Sequence, residues 1–204
     1  MNTYAITIGR EFGSNGCEIG QLLSKKLHIP YYDREVIELA AKESGLDLNE
    51  IENLENIMKK KEIYFLTKLG YSNNASLMAE QVIQAQSKII RDLATKESCI
   101  IAGRCADYVL KEYKYLVNIY IFAPLEYKIK HIMETYELDH KAAENMIKQI
   151  ERQRDNYYKY ITGHSRGDHR TKHIMIDSSL LGTEETVELL YQTVIKHFPD
   201  RIIR

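Results

Sequence analysis

The chain has no tryptophan, only three prolines and three cysteines in 204 residues, and almost no net charge. Cys17, Cys99 and Cys105 are an odd number without metal-ligand spacing, so reduced thiols in the cytoplasm are expected. The 28 basic and 29 acidic residues leave a formal charge of −1. Without a basic surplus, nucleic acid is not expected as a partner. No apolar run approaches the ~20 residues that cross a bilayer, and MNTYAITIGR reads as the start of a strand rather than as a signal peptide, so no membrane is expected either. There is no repeat and no low-complexity linker. A chain of this length reads as one domain with room for a large insertion.

What the sequence does have is a strand, a glycine turn and a helix in immediate succession. Ile6-Thr7-Ile8 is a β-branched run of the buried-strand type. Glycines follow at Gly9, Gly13 and Gly16, and then Ile19, Leu22, Leu23 and Leu27 recur at helical spacing. Backbone N–H groups and the positive end of the helix dipole make such a junction attractive to a phosphate. A helix-start turn without a ligand would read the same way. The regular P-loop, G-x-x-x-x-G-K-[ST], carries a lysine and then a hydroxyl after its last glycine. Here Gly16 is followed by Cys17 and Glu18.

Strand-like and helix-like segments alternate along the rest of the chain. Strands are predicted at 3–8, near 30–32, and at 99–102, 116–122 and 173–177. The helices between them start at Asp33, Asp47, about Ser76, Pro124, Asp139 and Gly182. This alternation predicts an α/β fold built on a doubly wound parallel sheet of about five strands. The clearest loop of the long helical stretch 46–97 is Gly70–Asn74. Apolar residues around Ile63, Phe65, Leu66 and Leu69 occupy more than one helix face, which predicts a homo-oligomer, a dimer or higher. Arg104 follows the strand Cys99–Ala102 at its carboxyl end, where ligands of parallel sheets bind. Arg152 and Arg154, two positions apart, do not share a helix face.

Several stretches resemble the cytidylate-kinase-like proteins, P-loop relatives of the nucleoside monophosphate kinases. They are Gly9–Gly16, Ile29–Glu35, Ile100–Asp107, Arg152–Tyr158 and Ile176–Leu181, in that order over nearly the whole chain. The resemblance implies a single P-loop NTPase-type kinase domain over 1–204. Its core would be 1–32, 98–151 and 171–204, with a helical acceptor-side insertion at 33–97 and a lid at 152–170. It implies transfer of a phosphoryl group from ATP to CMP or a related small acceptor, with Mg²⁺. Gly13, Ser14, Asn15 and Gly16 would hold donor phosphates. Asp33 would help place the metal or the acceptor, and Arg104 would grip the acceptor phosphate. Arg152 and Arg154 would neutralise charge during transfer. Arg10 would replace the missing lysine, or else pair with Glu11, Glu18 or Asp33 and hold the loop. The missing lysine keeps a second class open, a nucleotide-binding sensor or regulator without turnover. A kinase for another small acceptor is a third. The family usually has an aromatic residue at the position of Arg166, and no role follows for it.

Overall fold

The computed structural model describes residues 3–44 and 73–201. Its sheet has five parallel strands in the order β2-β3-β1-β4-β5. These are β1 (Ala5–Arg10), β2 (Tyr31–Tyr32), β3 (Cys99–Ala102), β4 (Leu116–Phe122) and β5 (Ile174–Asp177). The helices are α1 (Gly16–Leu27), α2 (Glu35–Ser44), α3 (Asn73–Lys96), the short α4 (Ala106–Val109), α5 (Leu125–Tyr136), α6 (His140–Thr162) and α7 (Ser178–His197). Among the described residues, no helix is long and apolar enough to cross a membrane. Segment 45–72, with Ile63, Phe65, Leu66 and Leu69, lies outside the described residues.

The isoleucine-rich strands follow from burial on both faces of the sheet. Ile6 and Ile8 point to one face and pack with Ile19 and Leu23 of α1 and with Leu190 and Val194 of α7. Ala5, Cys99 and Ile101 point to the other face, against Ile89, Ile90 and Ala94 of α3. Each of these isoleucines and leucines stabilises the fold by about 2 kcal/mol relative to exposure. Thr7 is the polar exception, and its hydroxyl donates to Asn118 Oδ1 on neighbouring β4 at 2.7 Å.

Some boundaries differ from those the sequence predicts, and two of the differences matter for the site. Strand β1 runs on through Gly9 to Arg10, in register with Ile121 of β4. Arg10 therefore belongs to the strand rather than to the loop after it. Helix α6 is capped by Asp139, which accepts from the Ala142 N–H at 2.8 Å. It continues unbroken to Thr162, and Gly163 ends it at φ 74°. The front half of the expected lid is thus helix. Helix α3 begins at Asn73, because the asparagines that read as loop already lie in its first turn. Helix α7 begins at Ser178, with Asp177 as its cap, and is broken at Gly182.

The chain leaving β1 travels to β2 on one side, while the chain leaving β4 travels to β5 on the other. The crevice above the carboxyl ends of β1 and β4 is therefore a topological switch point, where ligands of such sheets bind.

Candidate active site

The loop Glu11–Asn15 fills that crevice. The Glu11 N–H donates to the Ile121 carbonyl at 3.0 Å and the Phe12 N–H to Glu151 Oε1 at 2.7 Å. Lys128 of α5 donates to Glu11 Oε2 at 2.6 Å. The Ser14 hydroxyl is fully buried and donates to the Glu11 carbonyl at 2.8 Å, while the Ser14 carbonyl accepts from Ser178 Oγ at 2.7 Å. Ser14 thus ties the loop to the sheet and to α7, with its hydroxyl turned inward. Gly13 at φ 85° and Asn15 at φ 56° carry the chain through left-handed conformations into α1. No N–H of Gly13 or Asn15 is hydrogen-bonded within the described backbone, and the first N–H groups of a helix have no intrahelical partner. These groups border a cleft of about 210 Å³ lined by Gly13, Asn15, Gly16, Cys17 and Glu18, together with Arg10 and Arg154. The Asn15 side chain donates to Thr183 Oγ1 at 3.1 Å, just after the break in α7.

Arg10 stands where a side chain at position 16 would have to go. A Cβ added at Gly16 would lie 2.5 Å from Arg10 Cβ, and one at Gly103 would overlap Arg10 Nη1. Glycine at position 16 makes room for the Arg10 stem, and glycine at position 103 for its guanidinium. Arg10 Nη2 pairs with Asp33 Oδ2 at 2.5 Å, and its Nε donates to Cys17 Sγ at 3.4 Å. Burial works against the Arg10 charge, but Asp33 and then Cys17 outweigh it and hold the guanidinium above its ordinary range.

On the other side of Arg10 a second cavity of about 310 Å³ opens among β1, β3 and α6. Gly103 and Arg104 turn the chain at the end of β3 with φ 72° and 52°, and Arg104 lines this cavity with Asp33 and Asp107. Asp107 is ion-paired with Lys172, whose side chain is only 2% exposed, and accepts from the Tyr158 hydroxyl at 2.9 Å. Burial first, and then Asp107, push the Tyr158 hydroxyl well above its usual range, which keeps it a donor.

Helix α6 and the loop after it supply the rest. Arg154 Nη1 donates to the Arg10 carbonyl at 3.2 Å, and its guanidinium lies 5.6 Å from the centre of the Phe12 ring. Arg166 donates to the same carbonyl at 2.9 Å, to Glu151 at 2.5 Å and to Asp155 at 3.0 Å. The polar loop is thereby docked against the end of β1. Burial, and then the like charge of Arg10, push Arg154 down to about 10. It stays charged at neutral pH, and the opposite charge of an anion between these arginines would offset both effects.

Of the residues singled out from the sequence, Arg10, Asp33, Arg104 and Arg154 converge on this cavity, and Gly13, Asn15 and Gly16 border the adjoining cleft. Arg152 does not join them. It is exposed on α6 and lines neither space, because a continuous helix turns residues two apart to different sides. Ser14 borders neither space through its side chain. Glu151, Arg166 and Lys172 were missed. Only Arg166 had a local signal, an arginine in a loop flanked by Gly163 and Gly167.

The fold has parallels among known proteins. A model of the cytidylate kinase-like family matches residues 5–180. The chain belongs to that family. No curated protein matches it. Among solved structures, it resembles an uncharacterized protein from Eubacterium ventriosum at 25% identity and a TM-score of 0.73, over 95% of this chain and 99% of the other. Shikimate kinase from Bacteroides thetaiotaomicron shares 10% identity and a TM-score of 0.52, over 95% and 97% of the two chains. Shikimate kinase from Acinetobacter baumannii, solved in complex with shikimate, shares 11% identity and a TM-score of 0.50, over 95% and 94%. The likeness to the shikimate kinases is one of fold, and the fold is that of the P-loop kinases.

An anion at the arginine cluster has a measurable consequence. At about ten times its dissociation constant, sulfate should stabilise the protein by about 1.4 kcal/mol, or roughly 3–5 °C in Tm for a chain of this size. Sulfate also stabilises proteins by exclusion from their surface, so the comparison is with Arg154→Ala in the same salt. Equal gains in the two proteins would mean that no anion binds at this cluster.

Proposed function

We propose that this kinase-family chain transfers a phosphoryl group from ATP to CMP or a related small anionic acceptor, with Mg²⁺. The reading rests on one observation, that Arg10 and Arg154 line both the glycine cleft and the neighbouring cavity. A group moving from one space to the other passes these guanidinium groups, and charge neutralisation with positioning is most of what phosphoryl transfer asks of a protein. In this reading the N–H groups of Gly13, Asn15 and Gly16 take donor phosphates in the cleft. Arg104 holds an acceptor anion in the cavity, Arg154 meets the charge between them, and Arg166 keeps water out by holding the loop down. Glu11 and Glu18 are the carboxylates that line the cleft; Glu11 is committed to Lys128, as Asp33 in the neighbouring cavity is to Arg10, and the Cys17 thiol is too soft, so Glu18 is the hard oxygen donor that fits Mg²⁺. Bound there with ATP, Mg²⁺ would add counter-charge to the donor phosphates. A cytoplasmic, homo-oligomeric protein is part of the same reading.

One observation favours a regulatory nucleotide-binding protein instead. The first turn of α1 presents Gly16, Cys17 and Glu18 where an active loop carries a lysine and a hydroxyl.

Purified protein with ATP, Mg²⁺ and a panel of monophosphates separates the two readings. We expect ADP and a diphosphate, with CMP the first acceptor to try. Arg104→Ala should raise the acceptor KM about tenfold. Arg154→Ala should lower kcat about 10²-fold, whereas Arg152→Ala should leave both within twofold. Calorimetric binding of ATP with no turnover on any acceptor would select the regulatory protein.

A further inference from the structure

A larger concavity lies outside the site just described. It holds about 700 Å³ and opens near the amino-terminal ends of β4 and β5, between the Lys111–Lys114 turn and the far end of α7. Lys111, Lys114 and Arg170 line it together with His173 and His197. Asp107 is the only carboxylate among the described residues of that lining, and its charge is already met by Lys172. Arg170 is paired with Asp168 at 2.7 Å, so the uncompensated charge lies on the lysines. In a chain with a formal charge of −1, this concentration of positive charge is local, and it attracts anions.

The concavity also offers neutral donors and a ring. His173 Nδ1 accepts from the Asn118 N–H at 3.0 Å, which fixes the neutral tautomer with its proton on Nε2. Burial, and then the neighbouring His197, lower the His173 pKa, so that donor persists at neutral pH. The ring of Tyr108, over which Lys111 Nζ lies at 5.0 Å, forms part of the same wall.

We infer that this concavity is a second anion site, which takes a small ligand carrying several phosphates. Asp107 and Tyr158 line both this concavity and the acceptor cavity. A ligand here therefore touches the residues that hold Lys172 in the first site, as an effector would. The inference does not depend on catalysis.

Isothermal titration of the whole protein tests it, with CTP and inorganic tripolyphosphate as separate probes. Wild type should show two binding events with CTP. Charge-assisted contacts are each worth about tenfold or more. Lys111→Glu with Lys114→Glu should therefore weaken one event about a hundredfold and leave the other, and the milder Lys111→Ala with Lys114→Ala should give a smaller loss at the same event. Arg154→Ala should remove the other event. If tripolyphosphate fills the lysine-dependent site as well as CTP does, the ligand is read by its phosphates alone. If only CTP fills it, the nucleoside is read too. Both results support the site. An unchanged affinity for both events in the double-glutamate protein overturns it, as does a single event abolished by Arg154→Ala. A single event that depends only on the lysines would keep this site and mean that CTP does not enter the cleft proposed for ATP.

Discussion

Arg10→Ala should lower kcat/KM for phosphoryl transfer about 10³-fold, roughly 4 kcal/mol of transition-state stabilisation. Its side chain is only 12% exposed, faces Asp33 at 2.5 Å, and borders both the glycine cleft and the neighbouring cavity. The first turn of α1 brings Glu18 and no basic residue, so the charge that a P-loop lysine provides has to come from outside the helix. Arg10 occupies the space beside Gly16 that a lysine there would need. Arg10→Lys keeps a charge but loses the planar fork that reaches Asp33 and Cys17 together, and should fall between wild type and alanine. Asp33 is 28% exposed and would lose its partner in Arg10→Ala. The stability cost is therefore about 1–2 kcal/mol, well below that of a fully buried orphan. Urea unfolding, ATP titration and turnover should be measured on both variants. If stability falls while ATP affinity and turnover stay at wild-type values, Arg10 is a structural residue.

The sheet and the glycine junction were legible because both are written in consecutive residues. Ile6-Thr7-Ile8, Cys99–Ala102 and Leu116–Phe122 declare themselves as buried strands by composition, and the helices between them force parallel crossovers. Arg104 was legible for a related reason, since the residue after a parallel strand faces the ligand side of the sheet. The choice between Arg152 and Arg154 was not. Their spacing says that only one can face the site, and which one depends on how α6 is rotated against α5 and the sheet. That rotation is set by Ala143 and Ile147 packing on Ile129 and Ile132. Ser14 was expected to meet donor phosphates through its backbone N–H, but that N–H donates to the Glu11 carbonyl at 3.4 Å, and the hydroxyl is turned inward as well. The carbonyls of Glu11 and Ile121 claim it from inside. Glu151 gave no signal at all. It is 139 residues from the Phe12 N–H that it accepts, and nothing local marks one glutamate of a charged helix as the one that faces the loop.

Lys172 is the other residue that the sequence hid, and its removal should be the more damaging to stability. Lys172→Met keeps most of the stem and deletes the charge. Asp107, 13% exposed, would then be left with the Tyr158 hydroxyl as its remaining described partner. Removing one member of a buried pair costs about 3 kcal/mol, because the other charge stays desolvated. For a chain of this size that corresponds to a fall of roughly 6–12 °C in Tm. Asp107→Asn added to Lys172→Met should recover most of the loss, since the amide has no charge to leave stranded and can still accept from Tyr158. The interaction energy from the double-mutant cycle should be about 2 kcal/mol. Both groups also line the cavity proposed to take the acceptor, so the cycle separates fold from function. The double variant should approach wild type in thermal unfolding and still show a raised acceptor KM, because the cavity has lost a cation. A single variant that costs under 1 kcal/mol would mean that water reaches Asp107 and that the pair is not the wall it forms here. A double variant with both stability and KM restored would leave Lys172 as a partner for Asp107 and take it out of acceptor binding.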